Sequence, residues 1–360
     1  MTEDAGKADL KEDYHRYVMR KALFTTAVLA SIFIISGVAL TLGGRDISFT
    51  QAYGIIWDHL TGNIPAKGTE AFYDDYAIWN VRLPRIIVGI VAGACLAVGG
   101  AAMQSAAKNP LADPYTTGIS SGAVFGVSVA IVLGFGLGTS IGMYGLVLNA
   151  FIFGMVPAAV IILISRFTHS SPATLILAGV AMSYLFNAAS TLLLIGTSSE
   201  KLQEAYLWQI GTLENVNWDY VPVMAIITIV GTIFMLLVSP KLNLLTTGDA
   251  SAKSLGIDPE TFRMVILAVL SVMTASVVGF VGIIGFIGLV SPHIVRTIIG
   301  ADNKYLIPAS ALFGAAFLLI ADLISRLIIY PGSIAVGVVM SFIGAPIFLA
   351  LIIRSRKEMW

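Results

Sequence analysis

The chain has 360 residues, of which 57% are hydrophobic and only 12% charged, and its mean hydropathy is +0.88. A soluble domain carries roughly a quarter charged residues, so this chain cannot cover a water-facing surface and most of its outside must face lipid. The 21 basic residues balance 21 acidic ones, which excludes a nucleic-acid footprint, and one cysteine (Cys95) with four scattered histidines (His15, His59, His169, His293) offers no disulfide framework and no metal site.

A spanning helix needs about 20 mostly apolar residues. Such runs lie, in chain order, at 22–42, 83–103, 115–138, 141–165, 173–196, 221–239, 264–287, 306–329 and 333–353. A shorter run, 288–300, contains Pro292, His293 and Arg296 and reads as a short or partly re-entrant eighth helix. The count is ten. The first run follows 21 polar residues and lacks a small-residue exit, so it reads as a helix and not as a cleaved signal.

An even number of spans puts both termini on one side of the membrane. Lys7, Lys11, Arg16, Arg20, Lys21, Lys108, Arg166, Lys241, Lys253, Arg263, Arg296, Lys304, Arg354, Arg356 and Lys357 fall on that side. Arg45, Lys67, Arg82, Arg85, Lys201 and Arg326 fall on the other. The basic majority marks the cytoplasm, so both termini are expected there. The expected organisation is a cytoplasmic segment 1–21, one membrane domain 22–353 and a cytoplasmic tail 354–360. Two outside segments, 43–80 and 197–220, carry Trp57, Trp79, Trp208 and Trp218, which suit an interfacial aromatic belt.

Ionisable residues inside a membrane are the first candidates for function. Here the spans hold almost none. Asp322 lies near the outer end of the ninth, four residues before Arg326, so the two can pair on one helix face. Asp113 sits at a loop–helix junction. Without a proton relay, a transporter built from this chain draws its energy from another chain. Glycines four apart (Gly89/Gly93, Gly118/Gly122/Gly126, Gly134/Gly138/Gly142) let helix backbones approach closely. Gly279, Gly282, Gly285 and Gly288 step by three, which suggests an irregular link between the seventh and eighth helices. Gly248 to Ser254 faintly imitates a phosphate-binding loop, but Ala252 stands where the motif needs glycine and no strand precedes it.

Several stretches together resemble one family. They are Val81-Arg82-Leu83-Pro84-Arg85, Gln104, Asn109-Pro110-Leu111-Ala112-Asp113-Pro114 and Gly118-Ile119-Ser120-Ser121-Gly122-Ala123. Next come Leu177-Ala178-Gly179-Val180-Ala181, Leu207-Trp208-Gln209-Ile210-Gly211, and Leu242-Asn243-Leu244-Leu245 running to Lys253-Ser254-Leu255-Gly256. Last are Gly285 to Arg296, Ala321 to Arg326, and Gly344-Ala345-Pro346. The ordered set, spanning about 80–353, is similar to the FecCD-like permeases of type II ABC importers for iron-siderophores, haem and vitamin B12.

The resemblance implies an all-α polytopic fold of ten helices in the cell membrane. It also implies a dimer of permeases, here a homodimer, working with two cytoplasmic ATP-binding subunits and an extracytoplasmic binding protein. ATP and Mg2+ are then used by the partner ATPase, and this chain is a transport subunit without catalytic residues, metal or cofactor of its own. By the same resemblance Arg82, Arg85 and Arg326 receive acidic residues of the binding protein. The loop 242–258 forms short coupling helices against the ATPase. There Ala250, Ala252, Leu255 and Gly256 make a knob, while Gly248, Asp249 and Lys253 border it. Asn109 and Leu111 match positions that narrow the cytoplasmic end of the pathway, and Ser171-Pro172-Ala173 only partly matches a second gate. The cargo is expected to be an iron(III)-siderophore, with corrinoid or haem as alternatives. A secondary transporter is a remoter reading, disfavoured by the missing relay, and so is a structural or receptor subunit.

Overall fold

Apolar runs of bilayer length satisfy their backbone polar groups internally, and helix is the open-chain way to do that in lipid. The structure, a computed structural model, describes residues 2–136, 143–165, 167, 172–330 and 332–355. Its helices are α1 (Thr2–Thr41), α2 (Phe49–Leu60), α3 (Glu70–Tyr76), α4 (Leu83–Ala106), α5 (Ile119–Leu133), α6 (Met143–Ser165), α7 (Pro172–Leu194) and α8 (Ser199–Gln209). They continue with α9 (Tyr220–Leu237), α10 (Ser239–Thr246), α11 (Asp249–Ser254), α12 (Pro259–Val281), α13 (Ile287–Ile299), α14 (Asn303–Leu327) and α15 (Val336–Ser355). Among the described residues, seven stretches are long and apolar enough to cross a membrane, and the shorter apolar helices Ile119–Leu133, Ile287–Ile299 and Val336–Leu351 bring the total to ten. Each of the ten segments expected from the sequence coincides with one of them.

The first span differs from expectation in length, because α1 runs back through the polar segment. Near its cytoplasmic end the buried Lys21 ammonium lies 3.8 Å from the Tyr17 ring centroid and 4.0 Å from that of Tyr305, a cation–π sandwich that seats α1 on α14. The third span is shorter than the expected 115–138. Pro114–Thr117 is a 3-10 turn, and left-handed Gly118 (φ +86°) and Gly134 (φ +68°) bound α5. At about 1.5 Å per residue its 15 residues fall short of the bilayer core. Most of α5 is buried in protein, which removes the penalty.

Helix α4 is the axis of the packing, and small residues let its neighbours close in. A methyl group on Gly93 would stand 2.4 Å from the Gly314 carbonyl oxygen, and one on Gly100 would stand 1.8 Å from that of Gly288. Only a missing side chain permits these crossings of α4 with α14 and α13. The step-of-three glycines do form an irregular link, residues 282–286. Its backbone is tied to the link before α9 and, through it, to α15: Gly211 N donates to Ile283 O at 3.1 Å, Thr212 N to Val281 O at 2.9 Å, and Gly337 N, in the first turn of α15, to Gly211 O at 2.9 Å. Irregular backbone at membrane depth survives because protein supplies these partners.

Outside, Ser48 and Gln51 form a reciprocal capping box that starts α2. Phe49, Tyr53, Trp57 and Leu60 stand exposed at helical spacing along it, as an interfacial belt requires. Trp79 belongs instead to a packed cluster. It stacks on His59 with centroids 3.9 Å apart, lies 5.1 Å from Trp218, and accepts the Trp218 Nε1 proton on its carbonyl at 2.8 Å. His59 in turn bonds Asp75 at 2.8 Å. The two outside segments are thereby joined.

Candidate functional site

The residues singled out from the sequence gather at the two ends of the helix bundle. At the cytoplasmic end, α10 and α11 form the expected pair of short helices. Gly248 (φ +119°) turns the chain between them, and Gly256 (φ +82°) ends α11 by donating to the Lys253 carbonyl at 3.0 Å. The outward face carries Ala250, Lys253, Gly256 and Leu255, the last 62% exposed. Two assignments within this loop need correction. Ala252 is fully buried, facing the bundle, so it seats α11 and is no part of an outward knob. Asp249 does not stand at a rim awaiting a partner, because its carboxylate pairs with both Lys108 and Arg263. Burial pushes the Asp249 carboxyl up, but the hydrogen bonds and charges of Lys108 and Arg263 outweigh it and hold it below the usual value.

These two basic residues carry the geometry. Arg263, in the first turn or so of α12, is buried, and its Nε donates to the Ala106 carbonyl at 3.0 Å. That carbonyl is one of the orphan acceptors ending α4. Lys108 follows two residues later with φ +49°, a left-handed turn that a lysine rarely takes. A second tie reaches the same place. Asn243 of α10 bonds Asp302 and Asn303 at 2.8–2.9 Å, and Asn303 Oδ1 accepts from Ser105 Oγ at 2.9 Å. The sequence counted Lys108 and Arg263 only as cytoplasmic charge. Nothing in their spacing pointed to a shared carboxylate 141 or 14 residues away.

Between Lys108 and Asp113 lies the short loop with both gate candidates. Asn109 folds it by accepting the Leu111 N–H on Oδ1 at 2.9 Å, and its own N–H donates to the Gln104 carbonyl at 3.1 Å. Leu111 is left 45% exposed. Asp113 closes the loop by accepting the Tyr115 N–H at 2.8 Å, with its other oxygen against Gly288 at the start of α13. Ser171, the second gate position, lies outside the described residues.

At the outer end Arg82, Arg85 and Arg326 surround one open cavity of about 430 Å3, shared with Arg45, Glu214 and Tyr330. Their side chains are turned inward more than interfacial snorkelling would have them. Arg82 is buried and caps α1, donating to the carbonyls of Leu40, Thr41 (3.2 Å) and Arg45 (2.8 Å). Asp322 pairs with Arg326 as its i, i+4 spacing suggested, and also with Arg85, whose Nε lies 2.9 Å from it. The sequence missed that second partner. Two guanidiniums, those of Arg85 and Arg326, share this single carboxylate while Arg82 is held by carbonyls, so the basin keeps an excess of positive charge. Arg45 is separate, held by Asp74 first and Glu70 second, which raise its pKa further.

Among the described residues the chain is a bundle of ten apolar helices with a pair of short helices at one end. The sequence profile of the FecCD transport family matches residues 27–354, and the chain belongs to that family. It is the membrane permease subunit of a type II ABC importer, a multi-pass protein of the cell membrane, and membership of this family implies ATP-binding and substrate-binding partners. The hemin transport system permease protein of Yersinia pestis is 35% identical over 92% of this chain and 97% of that protein. The cobalamin import system permease protein of Halobacterium salinarum is 38% identical over 78% of this chain and 74% of that one. Among solved structures, a chain from an inward-facing ABC transporter assigned to the metal-chelate type superposes with a TM-score of 0.80 at 28% identity, covering 92% of this chain and 98% of the other.

Proposed function

We propose that two copies of this chain form a homodimer that carries an iron(III)-siderophore inward, driven by ATP and Mg2+ at two cytoplasmic ATP-binding subunits and supplied by an extracytoplasmic binding protein. The observation that carries this reading is the cytoplasmic end. An exposed apolar and small-residue face (Ala250, Leu255, Gly256) stands on a helix pair bonded to the loop of Asn109 and Leu111. In this reading Gly248, Lys253, Leu255 and Gly256 serve contact with the ATPase, and Asn109 and Leu111 narrow the exit.

The cargo's path runs along an open cavity of about 390 Å3 whose lining, including Tyr206, Gln209, Ile283, Gly337 and Ser341, bears no charge. A path without charges holds cargo weakly, as a pump requires, and leaves affinity to the binding protein. At the outer face, Arg82, Arg85 and Arg326 attract acidic residues of that protein through the positive charge left over after Asp322 pairs with two of them.

The test is uptake into proteoliposomes holding the complete complex, with ferric siderophore, haem and cobalamin offered in turn. ATP-dependent accumulation of the siderophore, insensitive to a protonophore, is the expected result. Accumulation of haem or cobalamin instead reassigns the cargo, and uptake driven by a proton gradient without ATP overturns the importer reading.

A further inference from the structure

We propose that Asp249 is a positioning residue that transmits movement of the coupling helix to the exit loop, with Lys108 as its arm. The inference rests on the coupling and gate roles proposed above and specifies how the two are joined. Asp249 is the first residue of α11, the helix that ends at exposed Leu255. Its carboxylate holds Lys108, the residue immediately before Asn109, and also Arg263 of α12. Arg263 is buried and simultaneously grips the last carbonyl of α4. One carboxylate therefore joins three elements: the ATPase-facing helix, the exit loop and the start of α12.

The loop it pulls is short and stiff. Lys108 sits in a left-handed conformation, Asn109 is folded onto Gln104 and Leu111, and Asp113 anchors the far end. A displacement at Lys108 has little slack to be lost in before it reaches Leu111. The Asn243–Asn303–Ser105 chain fastens α10 to the last turn of α4, just ahead of the same loop. With that second tie as a fixed point, movement of α11 becomes a rotation of the Lys108 arm. Charge-assisted bonds suit the task, since they are stronger and shorter than neutral ones.

The experiment compares the wild-type complex with Lys108→Gln and Lys108→Arg in proteoliposomes containing the ATP-binding and substrate-binding partners. The readout is chelate moved per ATP hydrolysed, alongside co-purification of the ATPase and thermal stability. Lys108→Gln is expected to keep co-purification and basal hydrolysis while uptake per ATP falls about tenfold, the worth of a hydrogen bond to a charged group. Lys108→Arg, which keeps the charge and the donor, should restore the ratio. An unchanged ratio in Lys108→Gln overturns the proposal, and so does a loss of stability with hydrolysis and uptake falling in proportion. A second measurement is independent of transport: spin labels at Pro110→Cys and Ser251→Cys, with Cys95→Ser, should keep one distance through the ATP cycle and lose it in Lys108→Gln. Independent movement of the two labels in the otherwise unaltered chain also overturns it. If the wild-type complex moves no chelate with ATP, the importer reading fails; if it does and Lys108→Gln stays coupled, only the relay fails.

Discussion

Arg85 Nε lies 2.9 Å from the Asp322 carboxylate, 237 residues further along the chain. The carboxylate is almost fully buried and holds Arg326 on its other oxygen. Removing it strands two guanidiniums in a poorly solvated place. Asp322→Ala should therefore cost about 3–5 kcal/mol, whereas Arg45→Ala, at an exposed pair, should shift stability far less. Thermal unfolding of the purified permease in detergent measures both. Equal shifts would show that Asp322 is solvated in the working protein.

Docking at the outer basin should be electrostatic and salt-sensitive. Association of the binding protein with the permease in nanodiscs is expected to weaken as ionic strength rises, because screening shortens to about 8 Å near physiological salt. An Arg82/Arg85/Arg326 triple alanine variant should lose that dependence. Because these arginines also hold the fold, the variant's thermal stability is measured in parallel. Salt-independent affinity in the unaltered permease would reduce the three to structural roles.

Residues of α11 and of the turn that ends it should separate by their exposure. Leu255→Glu is expected to lower co-purification of the ATP-binding subunit while the permease itself stays folded, since Leu255 is exposed. Ala252→Glu puts a charge into a site with no solvent access and should reduce the yield of folded permease outright. Gly256→Ala carries a backbone penalty of about 1 kcal/mol from its left-handed φ. Size-exclusion profiles and pull-down of the ATPase distinguish the three.

The Asp249 linkage should be insensitive to pH over the physiological range. Its carboxyl is held below the ordinary value of about 3.9. A depressed folded pKa contributes stability above the unfolded value and loses it as pH falls through the folded one. The stability difference between wild type and Asp249→Asn is therefore expected to be flat from about pH 5 to 8 and to shrink only below about pH 4. A change between pH 6 and 7 would contradict the pairing with Lys108 and Arg263.

Nucleotide should bind the partner and not this chain. Lys253 lies on an exposed six-residue helix after a turn, with no strand to present it, so no phosphate cradle forms. A fluorescent ATP analogue titrated against the isolated permease should give no saturable signal, and Lys253→Ala should leave ATP hydrolysis by the assembled complex intact. Micromolar binding would overturn this.

Span number and the irregular seventh–eighth link were legible in the sequence because lipid imposes them locally. Every apolar run must be long enough and internally bonded, and Gly89/Gly93 and Gly118/Gly122/Gly126 mark faces where a neighbour fits, while Gly138 and Gly142 lie outside the described residues. The Asp322–Arg326 contact was legible for the same reason, being one helical turn. What surrounds those residues was decided by the tertiary structure. Arg82 reads as an exposed cation until the end of α1, some 40 residues earlier, arrives with unpaired carbonyls for it to cap. Ala252 and Leu255 read alike as small or apolar loop residues until the packing of α11 buries one and exposes the other. Asp249 becomes a junction only when α4 and α12 bring Lys108 and Arg263 to it. Helix periodicity is a property of neighbours in the chain, but the partner of a charge is whichever residue the bundle delivers within hydrogen-bonding reach, and that distance is set by every crossing in between.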